Sequence, residues 1–188
     1  MTPLIKAIHL NKPRIIALLL RRGADINQAS TRGVTPLVEA IRSRNDALIK
    51  LVMEQNLDLS TPTETSDPLA SAVIMGNTDL VKQLIELGAP VDTSDSHGRT
   101  PLSHAAEAQD DAVIQLLIEK GASPTIQDND GFTPAVYAQG NFADKLGDAS
   151  YVLSIGPDAD GVTILMKAIK SGEESVVKYL LDNRVDVN

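Results

Sequence analysis

Thr100-Pro101-Leu102-Ser103-His104-Ala105-Ala106 reads as the opening of a short helix. The Thr hydroxyl can accept a bond from a free N–H of the first turn. Pro already holds the φ of the first helical position and lacks an N–H that would go unused there. The same opening stands at Thr2-Pro3-Leu4, Thr35-Pro36-Leu37 and Thr133-Pro134-Ala135, and in altered form at Asp67-Pro68-Leu69 and Thr163-Ile164-Leu165. Their second residues follow one another at steps of 33, 32, 33, 33 and 30. Four residues beyond each of them stands an alanine: Ala7, Ala40, Ala72, Ala105, Ala138 and Ala168. A small residue in fixed register, where a second helix must approach closely, marks a repeat array. Its members cannot each bury a core alone and must stack to do so.

Downstream of the alanine comes a polar break: Asn11-Lys12, Gly76-Asn77, Gln109-Asp110 or Gly172-Glu173. An apolar run follows, in the fourth repeat Val113, Ile114, Leu116, Leu117 and Ile118, with Gln115 at the one outward position. Lys50, Lys82 and Lys178 take that position elsewhere, as expected for a helix buried on most sides. Gly23, Gly88 and Gly121 then stand where a left-handed residue ends a helix, and Asn56 and Asn183 replace them in two repeats. A short extended stretch such as Ala89-Pro90-Val91-Asp92 leads into a tight turn. That turn carries Gly33, Gly98, Gly131 or Gly161 two residues before the next Thr.

This grammar resembles the ankyrin repeat, whose consensus runs Asp-x-x-Gly-x-Thr-Pro-Leu-His-x-Ala-Ala, then Ile-Val-x-Leu-Leu, then Gly-Ala-Asp-Val-Asn. The resemblance covers essentially the whole chain, as repeats at residues 1–27, 28–60, 61–93, 94–126, 127–157 and 158–188. It implies an all-α fold, an ankyrin-repeat solenoid of stacked helix–turn–helix pairs with short β-hairpin fingers. It also implies a scaffold that binds a partner protein through its finger tips and concave face, and not an enzyme. Carried over by position, the expected partner-binding residues are Arg32, His97, Arg99, Asp130 and Phe132 on the fingers. On the inner helices they are Arg42, Ile74, Met75, Glu107 and Asn141. Ile74, Met75 and Phe132 are apolar where solvent would favour polar groups, and arginine is enriched at the energetic centres of interfaces.

Departures from the consensus carry their own expectations. Its His is absent, with Ile5, Val38, Ala70, Ser103, Val136 and Met166 in that place; since the resemblance implies that this His bonds between neighbouring repeats, the array should rely more on apolar contacts. The finger of the third repeat, Thr61-Pro62-Thr63-Glu64-Thr65-Ser66, has no glycine and should be irregular. The second half of the fifth repeat, Asp144 to Ile155, is short and holds Gly147 inside the expected helix. The fifth repeat also gathers Phe132, Tyr137, Phe142 and Tyr151, which either repack the core around a deletion or form a specialised binding patch. A closed cavity among these rings would point instead to a small-molecule-binding or catalytic protein. Val177, Tyr179, Leu180 and Leu181 of the last helix read like an internal repeat, where a terminal one normally turns a polar face outward. Further domains beyond Asn188, or a surface packed on that end, are the expectation.

Composition narrows the function classes. A formal net charge of −8 argues against nucleic acid as partner. With no Cys there are no disulfides, thiol chemistry or Cys-based metal sites, and a reducing intracellular compartment, cytoplasm or nucleus, is the expectation. No apolar run is long enough to span a membrane. Asp128-Asn129-Asp130-Gly131 faintly resembles a calcium loop, but Tyr137 stands where the closing Glu belongs. His9, His97 and His104 lack acidic companions at metal spacing, so neither metal nor other cofactor is expected. Lys+Arg minus Asp+Glu, repeat by repeat, gives +4, 0, −4, −3, −3 and −2. The acidic middle suggests a basic segment in the partner.

Overall fold

A computed structural model describes residues 1–60, 67–138, 161–172, 174–182 and 185. The chain divides into two compact bodies, Met1–Ser96 and His97–Asn188. In the first, the helices are α1 (Pro3–His9), α2 (Pro13–Arg21), α3 (Pro36–Arg42), α4 (Asp46–Met53), α5 (Pro68–Ile74) and α6 (Thr78–Glu86). Each odd-numbered helix packs against the even-numbered one that follows it, and α1, α3 and α5 stack in sequence. In the second body, α7 (Pro101–Glu107) packs on α8 (Asp111–Glu119) and on α9 (Pro134–Tyr137). Next, α10 (Ile164–Ser171) pairs with α11 (Glu174–Asp182), which also meets α9. Among the described residues the fold is all-α, and within each body the helix pairs stack in chain order.

The helix starts follow the capping chemistry. Thr2, Thr35, Thr100 and Thr163 each accept, through the side-chain oxygen, the N–H three residues ahead at 3.2–3.4 Å. Asp67 instead accepts the N–H two residues ahead, that of Leu69, at 2.8 Å, and its other oxygen accepts the Thr93 hydroxyl. Thr133 makes no side-chain cap, and the helix it opens ends after four residues at Tyr137. The recurrent alanines are all 6 % exposed or less, which makes them contact points between helices.

The polar break is a two-residue corner. Its first residue is left-handed: Asn11 (φ 50°), Arg44 (φ 52°), Gly76 (φ 68°), Gln109 (φ 55°) or Gly172 (φ 75°). Its second residue caps the next helix through a side-chain oxygen at Asn45, Asn77 and Asp110. In the fourth repeat the carbonyls left open by α7 are closed from this corner, Ala106 O by Gln109 N–H and Ala105 O by Asp110 N–H, both at 3.1 Å. A side chain other than Gly in the left-handed region costs roughly 1–2 kcal/mol. Gln109→Gly is therefore expected to stabilise the chain by about 0.5–1 kcal/mol, less than that strain because glycine also adds unfolded-state entropy. A raised urea midpoint at unchanged slope is the check.

Two expectations change here. Asn56 is not left-handed. The Gln55 amide instead bonds Leu51 O at 3.1 Å, so a side chain satisfies the end of α4. The fingers are tight turns, with no strand among the described residues. In one, Ser30 N–H reaches Val34 O at 2.8 Å and Gly33 N–H reaches Ser30 O at 2.9 Å. In another, Asp128 and Phe132, then Gly131 and Asp128, pair in the same way at 2.9 and 3.0 Å. Polar bonds as well as apolar contacts join the first two repeats. His9 meets Glu39 at 2.7 Å, Asn45 donates to Asn11 at 3.1 Å, and Asn27 bonds the backbone of Asn56 and Asp58 at 3.1 and 2.9 Å.

Candidate functional site: a groove beside the first finger

In the body Met1–Ser96 a groove of about 500 Å³ lies between a finger turn and two stacked helices. From α1 and the residues before it come Met1, Ile5 and His9, and from α3 come Glu39 and Arg42. The turn contributes Ser30, Thr31, Arg32 and Val34. Ser30 holds that turn rigid, because its hydroxyl oxygen accepts Arg32 N–H at 3.3 Å and Val34 N–H at 3.2 Å. Arg32 and Arg42 are exposed, Val34 is half-buried and Ile5 is buried, so the groove has an apolar floor beneath charged walls. Glu39, its one carboxylate, is engaged by His9.

Of the residues expected at a partner surface, Arg32 and Arg42 are brought together here. Ile74 ends α5 with 59 % of its surface exposed. Met75 is half-buried and lines a second groove of about 450 Å³ with Ile41, Arg44, Asp46 and the start of α6. His97 is exposed and its carbonyl accepts Asn129 N–H at 2.9 Å, which ties two successive fingers. Gly98 sits at this junction because a Cβ there would lie 2.7 Å from Asn129 Oδ1 and 2.8 Å from its backbone N, at a φ of +77°. Asn141 lies outside the described residues, as do the finger of the third repeat, Phe142, Tyr151 and the segment Asp144–Ile155.

Arg99 and Phe132 are not on the surface. Phe132 is fully buried and Arg99 only 9 % exposed. Both occupy the position between the finger glycine and the helix-starting Thr, where Val34 and Val162 are also partly covered. That position points inward, and the apolar character of three of its four occupants is the signal that could have shown it. Phe132 meets Tyr137 edge-on, with ring centroids 6.1 Å apart at 86°. The Arg99 guanidinium lies 4.3 Å above the Tyr137 ring and bonds Glu107 at 2.5 Å. Tyr137 donates its hydroxyl to Asp128, whose other oxygen accepts Asp130 and Phe132 N–H at 2.9 Å. The Asp-x-x-Gly turn thus spends its first carboxylate on internal bonds. These two rings pack a core, and Asp128 and Tyr137, absent from the expected set, hold it together.

Among the described residues no group of three or more His, Asp or Glu converges as a metal site. No described helix is long and apolar enough to cross a membrane. A family model described as Ankyrin repeats (3 copies) matches residues 48–128 and again 121–188. A second, described as Ankyrin repeat, matches residues 1–31. No curated protein matches the chain at a significant level.

Proposed function

The chain belongs to the ankyrin-repeat family, and from that premise we propose that it is a protein-interaction scaffold that works by binding and not by catalysis. Ankyrin repeats generally mediate protein–protein interactions. The observation that carries the reading is the groove beside the first finger, where Arg32 and Arg42 stand exposed over an apolar floor. Covering that floor would exclude water from the arginine contacts, the setting in which arginine contributes most to an interface. In the first body, exposed Ile74 and half-buried Met75 extend the proposed partner-facing set; in the second, exposed His97 and Glu107 and half-buried Asp130 make a proposed set of their own. Arg99 and Phe132 serve it indirectly by fixing the finger that carries Asp130. The acidic third to fifth repeats, at −4, −3 and −3, favour a basic segment of a partner at that stretch.

Quantitative affinity capture from an intracellular extract tests the proposal, with wild type beside Arg32→Glu/Arg42→Glu. Both substitutions fall on exposed side chains, so the helical signal should be unchanged. The expected result is at least one protein retained by wild type and depleted roughly tenfold or more by the variant, as loss of two charged contacts implies. Identical captures by the two chains would count against the groove as the binding face.

A further inference from the structure

The groove beside the first finger is built on the basic part of an acidic protein. Residues 1–44 hold 8 Lys or Arg and 2 Asp or Glu, a net of +6. Residues 45–188 hold the remaining 9 basic and 23 acidic residues, a net of −14. With the chain as a whole at −8, a solvated surface alone gives no reason for one end to be so positive. The groove sharpens that asymmetry. Its walls carry Arg32 and Arg42, while its one carboxylate, Glu39, is held by His9 at 2.7 Å. A guanidinium has five donors, so an arginine that already makes one contact can still grip a carboxylate.

Resting on the binding role proposed above, we propose that this groove receives an acidic segment of the partner protein. Side-chain carboxylates of the segment meet Arg32 and Arg42, and an apolar side chain between them covers half-buried Val34 above the buried Ile5. The preference is opposite in sign to that of the acidic third to fifth repeats. The chain therefore reads the charge pattern of its partner and not simply its total charge.

A random peptide library displayed on phage tests this, selected on the full chain at low ionic strength. Enriched peptides are expected to combine Asp or Glu with an apolar residue. They should weaken at least tenfold on Arg32→Glu/Arg42→Glu and recover only part of that loss on Arg32→Lys/Arg42→Lys, which keeps the charge but not the guanidinium fork. Far-ultraviolet circular dichroism of each variant confirms that its helices are intact. Selection of basic or uncharged peptides, or of none, would overturn the inference. So would acidic peptides that bind Arg32→Glu/Arg42→Glu as well as wild type. Binding to phosphatidylserine vesicles in place of the peptides would overturn it in favour of a membrane surface. The capture experiment stands apart from all of these, so a scaffold that takes its partner elsewhere is told from a chain that binds no protein.

Discussion

Phe132→Ala is expected to destabilise the protein by about 3–5 kcal/mol, the usual cost of deleting a fully buried phenylalanine ring. The side chain is wholly inaccessible, and its edge contact fixes the ring of Tyr137. Tyr137 in turn lies beneath the Arg99 guanidinium, so removing one ring loosens two further side chains. Phe132→Leu, which keeps much of the volume, should cost only about 1–1.5 kcal/mol. Urea denaturation of both variants beside wild type checks the pair. A Phe132→Ala midpoint equal to wild type would mean that the ring is not the anchor described. Because a repeat array is stabilised by nearest-neighbour contacts, amide exchange should accelerate first around residues 97–138. A change in binding caused by this substitution would then report a loosened finger and not a lost contact.

Asp128→Ala should cost about 3 kcal/mol. Its carboxylate receives the N–H groups of Asp130 and Phe132 and the hydroxyl of Tyr137. Alanine leaves these donors without their acceptor, and an unmet buried donor costs about 1–3 kcal/mol. The residue is only 9 % exposed, so water replaces the lost acceptor poorly. Asp128→Asn keeps one oxygen for the two backbone groups and should lose about 1 kcal/mol. The gap between the two variants is the informative quantity. Thermal or urea unfolding that showed equal losses would mean that charge, and not the acceptor geometry, holds the turn.

The helical repeat was legible because its signals are local. A Thr before a Pro, a small residue four positions later and a glycine after an apolar run each act within one turn of chain, and each lies where those rules place it. The left-handed corner was half legible. Gly76 announces it, whereas Arg44 and Gln109 adopt the same φ without the glycine that would reveal it. At Asn56 the local rule lost to a neighbour, since the Gln55 side chain had already closed the helix end. The partner surface was less readable because it depends on which way a side chain turns. Arg99 and Phe132 sit on a finger by sequence position, yet the turn points them into the core. Nothing local pairs His9 with Glu39 across 30 residues, or sets Arg32 of a turn and Arg42 of a helix around one groove.

Every Phe and Tyr of this Trp-free chain lies beyond residue 96, so the body Met1–Ser96 is silent in the near ultraviolet. The near-ultraviolet dichroism of the whole protein therefore comes from His97–Asn188 alone, while the far-ultraviolet band sums the helices of both bodies. Tyr137, clamped by a ring edge, a guanidinium and a carboxylate, is a natural chromophore for the region around the finger of the fifth repeat. Following the two bands together through one unlabelled titration would separate the loss of order in one body from that in the other. No engineered probe is needed, because the distribution of six-membered rings along the sequence has already divided the signal.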